Sequence, residues 1–564
     1  MVSLKQGQIA ALGVFTFTDL VPTMTTTPKQ NEFYLHPYGW ENDPAEERYK
    51  LSTLDYLPAC SYLNFALFFK LDDEQKNNAI EILKQGLERT ISQARHVCGT
   101  IEKDEGGGHS FTKKKDSTVR FVVQSLDSSE EDDNAYPSFE DIERKNFTSA
   151  ALGDLKLWSV DPIMNWGGTP EAHPDRSPVV AAFKANLVRG GLVFNMHFHH
   201  YSEDVMGWAG FTHQLAENCY AIVNNTAFPD WDPGCNDLSR LTKAEPAEEA
   251  KIELPPRPQR HPDHTHPSSM YLFHLPKSKA AELKKLAAPE NESWISTYDA
   301  FSAMIWRTMS RLRVPVYKPD MSSSLYWAEA IDMRRRMHSP KVHPRIQRNV
   351  ISKAASDAGP VPAPTVAELV SDWPLWKVAS YIRQLTNSAT QEKLDKTLDF
   401  IATVRDKVSV NVRVDSKPPL SIQQTDHREV NVSAADFGFA RPFMYRHLSD
   451  FITEGLILVY PPRSSGSSSA DDDSDEGYEF SITYEDHLAQ ALIEDPEWSR
   501  YFEYRGIEAV GAAASTTLLP TPPLSDTGGN EGVSTGNKKR KWKSEEGYQD
   551  DDDRIREKRS AFKQ

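Results

Sequence analysis

The segment 183–223 constrains this chain more than any other. Residues 181–188 alternate weakly between apolar and polar side chains and end at Arg189-Gly190-Gly191, which reads as a hairpin turn. Beyond the turn, Leu192, Phe194, Met196 and Phe198 alternate with Val193, Asn195, His197 and His199. A period of two predicts a strand. The run His199-His200-Tyr201-Ser202-Glu203-Asp204 interrupts that pattern. Trp208, Phe211, Leu215, Cys219 and Ile222 then recur at helical spacing, as the buried stripe of an amphipathic helix. The unit is therefore a strand, a short connection carrying His200 and Asp204, and a helix.

Other elements are readable with less detail. Residues 60–71 read as a buried strand, followed by a helix opened by Asp72 and Asp73, with Ile80, Leu83, Leu87, Ile91 and Ala94 on one face. Residues 105–116, with three glycines and three lysines, read as a loop, and 119–125 as a strand. The run 228–268, rich in Pro, Glu and His, predicts an exposed crossover between two domains. A second domain is expected to begin at 269 with a strand, followed by helices at 277–287 and 298–313 and strands near 324–331 and 455–460. The expected division is thus 1–227, a crossover 228–268, 269–510 and a tail. Residues 463–477 and the tail 511–564 lack any apolar period, and both are expected to be disordered.

The chain has 564 residues, enough for more than one core, and its net charge of 64 − 81 = −17 argues against a nucleic-acid partner. No run approaches the roughly 20 apolar residues of a membrane helix, and 9–17 is too short to be one, so it reads as a strand. Four cysteines without a CxxC pair point to a reducing compartment and a cytoplasmic protein. The basic run 537–543 leaves a nuclear address open.

His200 meets the requirements of acyl transfer, among the reactions that need a general base. A hydroxyl attacking a thioester needs a base within reach, and an imidazole with a pKa of about 6.5 serves near neutral pH. On a short connection at a strand end, the ring is rigidly placed yet accessible. Asp204, four residues on, can cap the helix that follows or pair with a cation from elsewhere. HxxxD alone is a weak pattern. It gains weight from its strand–helix setting and from a second run, Asp436-Phe437-Gly438-Phe439-Ala440-Arg441-Pro442.

With these two runs in this order, the chain resembles the BAHD acyltransferases, whose signatures are HxxxD(G) and DFGWG. Leu51-Ser52-Thr53-Leu54-Asp55, the 296–306 run and Ala330-Ile331-Asp332-Met333-Arg334 extend the likeness over about residues 12–505, towards the fungal trichothecene acetyltransferase-like branch. The resemblance implies an α/β fold of two chloramphenicol-acetyltransferase-like domains, each a mixed sheet with flanking helices, with a channel between them. It implies a monomer that transfers an acyl group, expected to be acetyl from acetyl-CoA, to a hydroxyl of a small-molecule acceptor. No metal and no acyl-enzyme are expected. His200 would be the general base, Asp204 a structural support paired with Arg334, and Asp436 and Gly438 supports of the CoA channel. The chain departs from the pattern at Val205, where the family has glycine, and at Phe439 and Ala440. A narrower channel is the expected consequence of the first.

Other readings compete. His197 and His199 share a strand face, and His261, Asp263, His264 and His266 cluster in the Pro-rich run, but no third ligand stands at metal spacing beside the first pair. A condensation-type domain shares the HHxxxD pattern, but the missing glycine and the DFGFARP run disfavour it. An acyltransferase-like fold kept as a binding or regulatory protein without catalysis is the main alternative.

Overall fold

A computed structural model of the chain describes residues 28–510 apart from 106, 128–135, 162–169, 257, 261, 290–292, 411–413, 450 and 464–474. The run 9–17, the tail 511–564 with its basic patch, His261 and most of the acidic stretch 463–477 lie outside the described residues.

Strands β1 (Gln30–Leu35), β2 (Glu46–Lys50), β3 (Tyr62–Lys70), β4 (Thr100–Lys103), β5 (His109–Lys114), β6 (Val119–Ser125), β7 (Ala181–Val188) and β8 (Gly191–His199) precede the crossover. After it come β9 (Ser268–Leu275), β10 (Trp327–Asp332), β11 (Ile351–Ala355), β12 (Ile422–Asp426), β13 (Met444–His447), β14 (Leu456–Tyr460), β15 (Tyr478–Glu485) and β16 (Glu503–Val510). Among the described residues all but β2, β4 and β5 form two large mixed sheets, in the orders β1-β6-β7-β8-β3-β13 and β11-β10-β12-β14-β15-β9-β16.

The first sheet shows why β8 alternates. Its Leu192, Phe194, Met196 and Phe198 join the core made with the helices Lys76–Gln93 and Val205–Asn224. The other face is polar and equally buried, and it forms a hydrogen-bonded ladder. Asn195 donates to Asn64, Asn186 to Asn195 and Gln124 to Asn186, at 3.0, 3.0 and 3.1 Å. Lys184 donates to the carbonyls of Leu157 and Ser159 at 2.6 and 3.2 Å. This ladder fixes a covering segment that has little regular structure of its own. Buried polar groups are tolerated here because they are paired.

Two findings differ from the sequence reading. Residues 105–116 are not all loop: His109–Lys114 is the central strand β5 of a three-stranded sheet, β2-β5-β4. Its flanking glycines and lysines resemble a loop, but Phe111 is fully buried and Lys113 pairs with Asp43 at 2.7 Å. One aromatic anchor and one buried ion pair outweigh the local composition. Second, β13 lies within 269–510 yet joins the first sheet, antiparallel to β3 with His447 opposite Phe65. The second half of the chain therefore lends a strand to the first sheet, and Met270, Leu456 and Leu458 join the first half's core, so the two halves interlock.

Candidate active site

The first sheet delivers His200 to this junction. The amide of His199 donates to Val180 O at 2.8 Å, and that of His200 to Ser61 O at 2.9 Å, so the ladder holds the chain up to the imidazole. Ser202 then closes a turn on His199 O through both its amide (2.8 Å) and its hydroxyl (2.7 Å). Asp204 caps the helix Val205–Asn224 by accepting from Gly207 N at 2.7 Å.

His200 is half-buried, whereas Tyr201 to Asp204 are buried. Its Nδ1 lies 2.9 Å from the main-chain carbonyl of Glu203. A carbonyl can only accept, so Nδ1 carries the proton and the lone pair is on Nε2. Burial pushes the pKa of His200 below its ordinary value, against the opposing pull of the Glu203 carbonyl and Asp204. The ring is therefore neutral near pH 7 and can accept a proton.

Asp204 takes no part in orienting that ring. Its Oδ1 accepts from Gly207 N and Arg334 Nη2, its Oδ2 from Val350 N at 2.7 Å and Arg334 Nη1 at 3.1 Å. Arg334 in turn spends its remaining donors on Asp332 and on the carbonyls of Ile346 and Arg348. Both side chains are nearly inaccessible, so this is a buried, fully bonded ion pair between the two domains. The structure thus joins Asp204 to Arg334 and leaves His200 to a main-chain acceptor.

The glycine missing after Asp204 has a counterpart at Gly207. A Cβ at Gly207 would come within 2.6 Å of Arg348 O, 2.9 Å of Arg348 N and 2.4 Å of the Glu203 carboxylate. The close approach of the two domains is made there, two residues beyond Val205. Around it lies a buried polar cluster. Glu203 accepts from Arg348 N at 3.1 Å, and burial raises its carboxyl to about 8. The second domain also brings His427 and His447 to the junction. His427 shares a 2.8 Å hydrogen bond with Tyr445 OH; burial holds it down to about 4, and His200 also disfavours its charging. Spacing alone could not reveal these residues, because each comes from a different strand end.

Asp436 and Gly438 are elsewhere. Gly438 packs on Val223 and Tyr220, near the far end of the helix that begins beside His200. At 1.5 Å per residue this is roughly 23–27 Å from the helix start. Asp436 helps line a cavity of about 410 Å3 with His213, Glu217 and Tyr220. The two histidines next to the site are engaged in holding the covering segment. His197 Nε2 accepts from Val160 N, and His199 Nε2 donates to Ala172 O while its Nδ1 accepts from Tyr201 N.

Two interlocked mixed α/β domains with a half-buried imidazole at their junction fit the acyltransferase class. Comparison with known proteins narrows the class. A family profile described as the trichothecene 3-O-acetyltransferase-like N-terminal domain matches residues 61–219. The acetyltransferase FGR3 of Gibberella zeae is 65% identical over 481 residues, 85% of this chain and 95% of that protein. The structure of F. graminearum TRI101 with coenzyme A and T-2 mycotoxin aligns with a TM-score of 0.64 at 21% identity, over 82% of this chain and 100% of that one. Vinorine synthase shares the fold, with a TM-score of 0.55 at 16% identity, over 84% of this chain and 97% of its own. The chain belongs to the fungal trichothecene acetyltransferase-like branch of the BAHD acyltransferases. Among its described residues no helix is long and apolar enough to cross a membrane.

Proposed function

We propose that the chain transfers an acetyl group from acetyl-CoA to a hydroxyl of a specialised metabolite, with His200 as general base. The observation that carries this reading is the bond from His200 Nδ1–H to the Glu203 carbonyl, which leaves the lone pair on Nε2 of a neutral, accessible ring. The acceptor hydroxyl gives its proton to Nε2 as its oxygen attacks the thioester carbonyl. The new C–O bond forms, the C–S bond breaks, and the imidazolium returns the proton to the departing thiolate. No step requires a bond between the acyl group and the protein. Asp204 and Arg334 hold the two domains in register behind the ring. Asp436 and Gly438 shape a loop far from the reacting atoms.

The first acceptors to test are T-2 mycotoxin and deoxynivalenol, because TRI101 structures carry them. We place the reaction in the cytosol, on a monomer. All four cysteines are free, which fits a reducing compartment. The test is CoA release and product mass from acetyl-CoA with such a panel. His200→Ala should fold with an unchanged melting temperature and lose about 10²–10⁴-fold in kcat. Turnover like that of the wild type would remove the base assignment.

A further inference from the structure

Residues 347–350, from the second domain, lie against the His200 loop, and Asn349 is the residue that touches it most directly. Asn349 is fully buried. Its Nδ2 lies 3.0 Å from His200 O, 3.0 Å from Tyr201 O and 3.2 Å from Asp55 Oδ1. All three neighbours are acceptors, so the amide nitrogen must face them, and its two protons are shared among three oxygens.

These contacts fall where the chain leaves its sheet. Beyond β8 the carbonyls of His200 and Tyr201 have no strand partner, and buried carbonyls without one are costly. One carboxamide from the other domain satisfies both. The carboxamide is itself anchored. Asp55 accepts from Ser52 N at 2.7 Å and from the Arg348 guanidinium at 2.5 Å. Arg348 holds a left-handed backbone, with φ of 72°, that a non-glycine residue rarely adopts. Bonds from its amide to Glu203 and to its carbonyl from Arg334 hold it there. Such a conformation persists where surrounding contacts over-determine it.

We propose that Asn349 is a positioning residue: its carboxamide sets the peptide planes on both sides of Tyr201, and so the direction in which the His200 imidazole points. This rests on His200 being the base. The turn that brings the Glu203 carbonyl to Nδ1 passes through both of those peptide planes. Without the carboxamide the turn relaxes, the imidazole loses its fixed bearing and water reaches it.

The experiment uses the full chain with acetyl-CoA and an accepted alcohol, comparing wild type, Asn349→Ala, Asn349→Ser and His200→Ala. Misplacing a reacting group by about 1 Å costs on the order of 100-fold in rate. Asn349→Ala should therefore lose about 10–100-fold in kcat, with KM for acetyl-CoA within about threefold. Its acid limb in kcat/KM should move to higher pH, as a wetter imidazole regains its ordinary pKa. Asn349→Ser, which keeps one donor, should recover part of the rate. Should Asn349→Ala be insoluble, Asn349→Ser must show the same split in weaker form. An unchanged kcat in a folded variant overturns the proposal. So does a loss that tracks unfolded protein with an unmoved pH profile, as does misfolding of both variants, since each makes the role structural only. An active His200→Ala would instead overturn the base reading, whatever Asn349 does.

Discussion

The two signature segments are held in opposite ways. Tyr201 to Asp204 are buried behind a half-buried His200, and Asp204 reaches across the molecule to Arg334, a partner 130 residues away. The segment that begins at Asp436 satisfies itself. Asp436 Oδ1 accepts from Gly438 N at 2.9 Å, its Oδ2 lies 3.2 Å from Arg441 Nη2, and both side chains of that pair are exposed. The first segment depends on a side chain that joins domains. The second depends on a backbone: Gly438 has φ of 78° and sits against the helix Val205–Asn224. A carboxylate in a sequence signature can therefore bear on the whole architecture or on two neighbouring residues, and burial decides which.

The sharpest way to break this contrast is Asp204→Ala. It strips a buried guanidinium of its bidentate partner, uncaps a helix and frees Val350 N. Removing one member of a buried ion pair costs about 3–5 kcal/mol. We expect a clear fall in melting temperature and at least a tenfold fall in kcat, since the second domain would no longer be held against the His200 loop. A variant with wild-type stability would mean that the pair contributes nothing to the interface. Gly438→Ala should come next. An alanine there would adopt a left-handed backbone, and its Cβ would lie 2.8 Å from Val223 Cβ and 3.1 Å from Tyr220 Cα. Strain of this kind costs about 1–3 kcal/mol. We expect lowered thermal stability with kcat kept within a few-fold. Equal losses in both would show that the loop reaches the chemistry.

What could be read from the sequence divides along the same line. The period-two run of β8 and the stripe from Trp208 to Cys219 were legible because local spacing maps directly onto one sheet face and one helix face. His200 stood out because it interrupts both patterns. The pairing of Asp204 with Arg334 came only through resemblance, since spacing says nothing about partners so far apart. Asn349 was invisible for a different reason: it acts on main-chain carbonyls, which every residue has. β5 was misread because its composition is that of a loop, and only Phe111 and the Lys113–Asp43 pair make it a strand. The placing of β13 in the first sheet follows from tertiary packing, which no window of sequence contains.

Asp436→Ala is the smallest expected effect and the most discriminating, because resemblance implies a place for Asp436 beside the CoA channel, whereas its hydrogen bonds to Gly438 and Arg441 stay within its own turn. Its bond to Gly438 N is a local side-chain cap of a turn, replaceable by water at an exposed site. Its pair with Arg441 is exposed on both sides, where ion pairs contribute about 0–1 kcal/mol. The stability loss should therefore stay under about 1 kcal/mol, smaller than for Gly438→Ala in the same loop. KM for acetyl-CoA should also be unchanged, because the residue sits roughly four helical turns from the start of the helix beside His200. The cavity it lines with His213 and Glu217 gives the opposite result a clear meaning. A tenfold rise in KM for acetyl-CoA, with kcat intact, would show that the co-substrate reaches that cavity. The self-contained loop would then be part of the binding surface, and the contrast between the two segments would fall.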